Sequence, residues 1–208
     1  MAIYTVDVPV EKQAEHEACW ASICMAVVAA VKPARKGMSP IDLYNQKKST
    51  TQKAAQDPTK VLKDEFGVDC KETAFKAPVF NQGESNLRAD EIEKTVVEAL
   101  KKNSPVICGL TTHDDSGLPS TKGPITWRHA TLAYKCDDQR HVCWIRDPAP
   151  GGGKASLADR LVTFDEMSSG FVYMQKSDFG PKTRELLGEV NSKGLLMARV
   201  YKLIVPSS

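Results

Sequence analysis

The chain has 208 residues with 28 basic and 26 acidic side chains, so its formal net charge is only +2. This length fits a single domain, residues 1–208, with a real hydrophobic core. A charge balance this even argues against nucleic acid or an anionic membrane surface as a partner. The first residues lack the basic and apolar regions of a signal peptide, and the longest apolar run, residues 23–31, is too short to span a bilayer. We therefore expect cytoplasmic synthesis, with a specialised secretion system as the route of any export.

The six cysteines are scattered along the chain, and no Cys or His pair has the spacing of a zinc site. In a protein of this size we expect them to be reduced thiols rather than structural disulfides. No metal ion and no organic cofactor is implied.

Helical patterns dominate the first half of the chain. Residues 3–10 alternate as a strand does, and residues 18–31 follow as a helix that is apolar nearly all round, which is typical of a central buried helix. Ser-Pro and Asp-Pro pairs predict two further helix starts, at residues 39 and 57. Apolar spacing predicts a fourth helix over residues 90–102.

Most of the predicted strands lie in the second half of the chain. Strands are predicted over residues 68–75, in the first half, and over 105–112, 125–136, 142–147, 161–164, 171–174 and 195–205, with a further helix over 182–190. We therefore predict an α+β fold in which a helical part, about 14–104, packs its central Cys-bearing helix on an antiparallel β-sheet, about 105–178. Residues 179–208 are interpreted as a C-terminal extension.

Cys19 begins the buried helix, and Gln13 lies six positions before it. A cysteine in the first turn of a helix is near the positive end of the helix dipole, which favours the thiolate. A side-chain amide upstream can offer N–H donors beside the sulfur. Together they supply a nucleophile and an oxyanion donor, two of the parts that an acyl-transfer site needs.

His129 is the favoured base among the four histidines, because a strand holds it more rigidly than a loop does. It shares a strand face with Trp127, while His16 is better placed to line the site, and His113 and His141 fall in predicted loops or turns. A structural histidine in a sheet is the alternative interpretation of His129.

Asp147 ends the second strand of the same predicted hairpin and is the candidate partner of His129. A three-residue turn that pairs 136 with 140 would put the two side chains opposite each other. A two- or four-residue turn would put them on opposite faces, so the hypothesis requires an odd turn or a bulge. The alternative interpretation of Asp147 is a turn residue before Pro148.

The order Gln13, Cys19-Trp20, His129-Ala130 and Asp147-Pro148 resembles the papain-like cysteine peptidases. Within that superfamily, the short chain and the Asp-Pro element are more similar to a compact bacterial branch. That branch includes bacteriocin-leader-processing peptidase domains, staphopains and effector proteases of plant pathogens. The chain departs from plant papains at residues 15–17, where Glu-His-Glu replaces a Gly-rich approach to the cysteine.

The resemblance implies a papain-like fold with Cys19 as nucleophile, His129 as general base and acid, Asp147 as orienting residue and Gln13 as oxyanion donor. Substrate contacts are expected from Trp127, Trp20 and His16. The implied function is peptide-bond hydrolysis on a protein or peptide substrate, in a bacterial effector or toxin, with an inhibitor or immunity protein as a conceivable partner. The same triad also serves transglutaminases, acyltransferases and deamidases, and a silent binding module on this fold is a further alternative. The oligomeric state is not indicated.

Overall fold

The structure is a computed structural model. It describes residues 2–11, 13, 18–33, 38–48, 56–74, 88–114, 127–148, 158–175 and 195–207. The helices are α1 (Cys19–Val31), α2 (Pro40–Lys48), α3 (Pro58–Phe66), α4 (Ala89–Lys101) and α5 (Phe164–Ser169). The strands are β1 (Ile3–Thr5), β2 (Cys70–Ala74), β3 (Val106–Asp114), β4 (Trp127–Asp137), β5 (Val142–Asp147), β6 (Ala158–Thr163), β7 (Phe171–Gln175) and β8 (Leu195–Pro206).

The strands form one sheet in the order β2-β8-β3-β4-β5-β6, with β1 paired to β4 and β7 paired to β8. Each of these described strand pairs is antiparallel. Helix α1 packs against β4 and is flanked by α2 and α3. The predicted α+β class is confirmed, with the Cys-bearing helix packed on an antiparallel sheet.

The C-terminal part of the chain is built into the sheet. Strand β8 pairs with β2 on one side and with β3 on the other. The described part of the segment that was interpreted as an extension is therefore an interior strand, not an appendage. Strand β2 lies within the strand predicted over 68–75, in the otherwise helical part of the chain.

Helix α1 owes its position to its composition. Residues 19–28 are all buried, and no side chain caps its N-terminus at Ala18. Full burial of a large aliphatic side chain such as Ile23 stabilises a fold by about 1.5–3 kcal/mol. An amphipathic helix would leave one face to water. Residues 19–28 of α1 are instead buried on every face, so Cys19 is held in the core.

The ends of α3 follow the predicted capping pattern. The carboxylate of Asp57 accepts a hydrogen bond from the N–H of Thr59 at 3.1 Å, and Pro58 occupies the first turn. Gly67 ends the helix in the left-handed region with φ of 61°. Glycine is suited to this conformation because it has no Cβ to clash.

Two predicted elements differ in the structure. Strand β1 stops at Thr5, and residues 6–10 continue without ladder pairing while Val6, Val8 and Val10 point into the core. Helix α5 follows β6 in a segment where the sequence pattern predicted no helix. Thr163 and Glu166 form a capping box at its start. That Thr-x-x-Glu signal is visible in the sequence. The helix predicted over 182–190 lies outside the described residues.

Candidate active site

Cys19 is the first residue of α1 and is 8% exposed. Burial alone would raise the pKa of its thiol. The positive charge of the His129 ring, a hydrogen bond shared with that ring, and the backbone N–H groups of Ala130 and Trp20 outweigh burial and lower the pKa below its ordinary value. The sulfur is therefore surrounded by donors that favour a thiolate.

The other five cysteines have the opposite electrostatics. Burial is the first cause in each case, and it raises their pKa values, with no imidazole to offset it. This set comprises Cys24, Cys70, Cys108, Cys136 and Cys143. All six thiols are free, and Cys19 is the one with a lowered pKa. Cys19 is therefore the cysteine whose surroundings favour the thiolate, whereas the surroundings of the other five favour the thiol.

His129 connects the sulfur to a carboxylate. Its Nε2–H donates to Oδ1 of Asp147 at 2.7 Å, and the ring also hydrogen bonds to Cys19. Burial alone would lower the pKa of His129, but the charges of Asp147 and Cys19 and the hydrogen bonds to both raise it to about 10. A pair with a lowered thiol pKa and a raised imidazole pKa rests as thiolate and imidazolium, which is the form that attacks carbonyl carbon.

Asp147 is fully buried, at 0% exposure. Its second oxygen, Oδ2, accepts a hydrogen bond of 2.6 Å from the hydroxyl of Tyr173. Sequence reasoning missed this contact, because Tyr173 lies in a short strand with no fixed spacing to Cys19, His129 or Asp147. A buried carboxylate requires partners on both oxygens, and that general rule was the available signal.

The hairpin of β4 and β5 has a different turn from the one considered in the sequence. Cys136 pairs with Cys143, and the turn covers residues 138–141, so a pairing of 136 with 140 is wrong. A turn of this even length followed by a regular ladder would point the imidazole and the carboxylate to opposite faces.

A β-bulge in β4 restores the common face. The extra residue is Tyr134, between Ala133 and Lys135, where the register with β5 shifts. A bulge places two residues of one strand opposite one residue of the other. On the far side of the bulge from the turn, the alternation of β4 side chains relative to those of β5 is therefore reversed. His129 and Asp147 thereby become diagonal neighbours on one face, within reach of a direct hydrogen bond.

Gln13 lies close to the end of β5. Its backbone N–H donates to the carbonyl of Pro148 at 3.0 Å. This bond ties the segment before the Cys helix to the residue that follows Asp147. The oxyanion role of the Gln13 side chain stays a prediction.

The three predicted substrate contacts have different outcomes. Trp20 is 3% exposed and packs on the ring of Tyr44, with 6.2 Å between ring centroids, so its burial argues against a contact with substrate. Trp127 begins β4, but its side chain lies outside the described part of the structure. His16 also lies outside the described residues.

The two remaining histidines, His113 and His141, lie on other elements. His113 is in β3 rather than in a loop. His141 is exposed in the hairpin turn, and its Nδ1 lies 2.8 Å from Oε1 of Glu93. Within the described ranges, no group of three or more His, Cys, Asp or Glu side chains could hold a metal ion. No helix in those ranges has the length and apolar character needed to cross a membrane.

Comparisons with known proteins give distant structural likenesses and no match of sequence. No protein-family profile matches the chain, and no curated protein sequence matches it. The chain is similar to the crystal structure of UfSP from C. elegans at 10% sequence identity and a TM-score of 0.44. The alignment covers 99% of this chain and 34% of that one, so the chain spans about a third of its neighbour's length. At this level of similarity, the function has to be argued from the site itself.

Proposed function

We propose that the protein is a cysteine peptidase that works through a thioacyl intermediate on Cys19. The observation that supports this proposal is a continuous set of hydrogen bonds from the sulfur of Cys19 through the ring of His129 to the buried carboxylate of Asp147. A nucleophile, a base and a third group that orients the base are the parts that covalent acyl transfer requires.

In the proposed reaction, the Cys19 thiolate attacks the scissile carbonyl carbon and forms a tetrahedral intermediate. The N–H groups of the first helical turn have no intrahelical acceptor, so the N–H of Cys19 is suited to hold the oxyanion. Gln13 is the proposed second donor. The His129 imidazolium gives its proton to the leaving amine, then takes a proton from the water that hydrolyses the thioester.

Asp147 holds the imidazole in the tautomer that the proposed reaction needs. Because Nε2 is bonded to the carboxylate, the other ring nitrogen, Nδ1, is the one that serves the thiol. The negative charge of Asp147 also favours the imidazolium. The proposed substrate is a protein or peptide, and the role as an effector or toxin stays a prediction from the sequence.

Labelling with a thiol-directed epoxide inhibitor tests the nucleophile. We expect the wild type to take up one label, found by peptide mass mapping on Cys19, and Cys19→Ala to take up none. Cys24→Ala is the matched control, because Cys24 lies in the same helix and burial raises its pKa well above the ordinary value. This control should label as the wild type does. An unlabelled wild type, or a label on another cysteine, would contradict the proposal.

A product assay separates hydrolysis from transfer by the same residues. A casein or mixed-peptide substrate is incubated with and without a primary amine, and the products are analysed by mass spectrometry. We expect peptide cleavage that depends on Cys19. Incorporation of amine without cleavage, or release of ammonia alone, would assign the site to transglutamination or deamidation instead.

A further inference from the structure

Tyr173 is a close hydrogen-bond partner of the Asp147 carboxylate. The tyrosine is 2% exposed, and its hydroxyl donates to Oδ2 at 2.6 Å while His129 donates to Oδ1 at 2.7 Å. Each carboxylate oxygen thus has its own donor. Rotation of the carboxylate away from His129 would break the bond to Tyr173 as well.

A β-bulge directs Tyr173 to this position. In β7, Val172 pairs with Met197 and Met174 pairs with Leu196, so Tyr173 is the extra residue between them. Bulges turn a side chain away from the regular alternation and occur next to active sites more often than elsewhere. Val172 is 44% exposed, whereas Tyr173 is almost fully enclosed.

The ring of Tyr173 contacts the rest of the site. Its centroid lies 5.8 Å from that of His129 with an interplanar angle of 56°, a tilted arrangement of the two rings. The guanidinium of Arg160, on β6, lies 4.9 Å from the ring centroid. The ring therefore contacts residues of β4 and β6, while the hydroxyl binds a residue of β5.

The described charged and titratable groups that act on Tyr173 come from four elements. They are Asp147 on β5, His129 on β4, Arg160 on β6 and Cys19 on α1. Burial, the charge of Asp147 and the hydrogen bond to it raise the pKa of Tyr173 well above its ordinary value, while Arg160 opposes this. The hydroxyl thus remains a proton donor throughout the pH range in which an enzyme works.

We propose that Tyr173 is a positioning residue of the peptidase site, which fixes the Asp147 carboxylate so that the carboxylate can fix His129 against Cys19. This inference rests on the proposed function. Without the hydroxyl, a fully buried carboxylate would lose one of its hydrogen-bond donors, and that is costly enough to displace the group or to admit water. The imidazolium would then be held less firmly, and the thiolate that depends on its charge would form less readily.

Tyr173→Phe, which removes only the hydroxyl, tests this role. We expect kcat to fall about tenfold, as for the loss of one hydrogen bond to a charged group, with KM unchanged. We also expect the pH at which iodoacetamide begins to alkylate Cys19 to move upward, because thiolate formation depends on the charge of His129. A residue that served only packing would leave this pH unchanged, since the ring remains.

Tyr134→Phe is the matched control. Tyr134 is also the extra residue of a β-bulge, is 9% exposed and donates to a carboxylate, Oδ2 of Asp159, at 2.9 Å. The Asp159 carboxylate, which Tyr134 binds, does not contact His129. We expect this variant to lose thermal stability as Tyr173→Phe does and to keep the kcat and the alkylation profile of the wild type.

Two further measurements complete the test. In the Asp147→Asn background, Tyr173→Phe should lower kcat little further, because Tyr173 acts through the carboxylate. If Tyr173→Phe does not fold, 3-fluorotyrosine at position 173 is the second variant. 3-Fluorotyrosine preserves the shape of the side chain and makes its hydroxyl more acidic. At position 173 we expect it to shift the pH at which iodoacetamide begins to alkylate Cys19. At position 134 we expect no such shift.

The outcomes distinguish this inference from the proposed function. Equal kcat values and alkylation profiles for the Tyr173 and Tyr134 variants, with a normally labelled wild type, would overturn the positioning role alone. A pH of alkylation onset that moves downward rather than upward in Tyr173→Phe would also overturn it. A wild type that takes no label on Cys19 would instead overturn the peptidase proposal.

Discussion

The two faces of strand β5 carry similar hydrogen-bond arrangements at adjacent residues. On one face, Arg146 makes two bonds to Asp159, at 2.7 and 3.0 Å, and Tyr134 donates to the same carboxylate. On the other face, Asp147 accepts from His129 and from Tyr173. Each face thus combines an aspartate, a bulge tyrosine and a cation.

The two arrangements differ in the cation and in exposure. The side chains of Arg146 and Asp159 are 23% and 43% exposed, and hydrogen bonds to Asp159 raise the pKa of the arginine further. A guanidinium keeps its proton at every relevant pH, so Arg146 cannot act as an acid or a base and the Arg146–Asp159 pair has a structural role. The imidazole of His129 is 12% exposed and can release a proton to a neighbour. Nearly the same geometry therefore gives a structural group on one face, the Tyr134, Arg146 and Asp159 set that we call the brace, and the candidate active site on the other.

Arg146 also reaches the N-terminal segment. Its Nη1 donates to the carbonyl of Val8 at 2.9 Å, and its guanidinium lies 4.1 Å from the ring centroid of Tyr134. This hydrogen bond ties the segment around Val8, which leads to Gln13, to the brace.

Matched alanine substitutions of the two aspartates should give the largest difference between the faces. We expect Asp147→Ala to lower kcat/KM by about 100-fold or more, because the imidazole loses its orienting group. Asp159→Ala should mainly lower stability, since its carboxylate touches neither His129 nor Cys19. Peptide hydrolysis and urea unfolding of both variants measure this. Equal losses of activity would show that the brace is part of the site.

The pH dependence of kcat/KM is expected to be bell-shaped. The charge of His129 lowers the pKa of Cys19 despite burial, so the rising limb should lie below 9.0. Activity then falls when His129 loses its proton, near a pKa of about 10. In Asp147→Asn the charge that raises the pKa of His129 is absent, so the falling limb should move to lower pH. Asp159→Asn should not move it, and a shift there would contradict the separation of the two faces.

Arg146→Ala should give the smallest effect, and on stability rather than on chemistry. We expect a loss of about 1–2 kcal/mol in the free energy of unfolding, because the ion pair is partly exposed while the bond to Val8 is partly buried. Gly67→Ala, which strains a left-handed helix end far from both faces, should cost about 1 kcal/mol and serves as the reference. Urea unfolding gives both values. A loss of kcat/KM in the folded Arg146 variant, beyond that of the Gly67 variant, would show that the brace positions catalytic groups.

Much of the local structure follows from the sequence. The apolar pattern of residues 18–31 predicts α1 with Cys19 at its start, and Asp57-Pro58 and Gly67 predict the two ends of α3. Residues 142–147 are predicted as a strand and form β5 with the same bounds. These features depend on residues within one or two turns of the chain, whose propensities and caps act locally.

The tertiary structure decides the composition of the candidate site. The bulge at Tyr134 puts His129 and Asp147 on one face, which no turn length visible in the sequence could specify. Tyr173 reaches Asp147 from a strand 26 positions away in the chain. Trp20, expected to meet substrate, is buried in the core instead. Strand register, bulges and burial depend on pairings between distant segments.

Sequence reasoning alone therefore identified the candidate residues Cys19, His129 and Asp147 and the elements that carry them. Folding places these three side chains against one another, makes β8 an interior strand and provides a tyrosine as a hydrogen-bond donor to the Asp147 carboxylate. The physical reason is that side-chain chemistry and local propensity belong to individual residues and their neighbours. Hydrogen bonds, desolvation and the resulting pKa values belong to groups that only folding brings together.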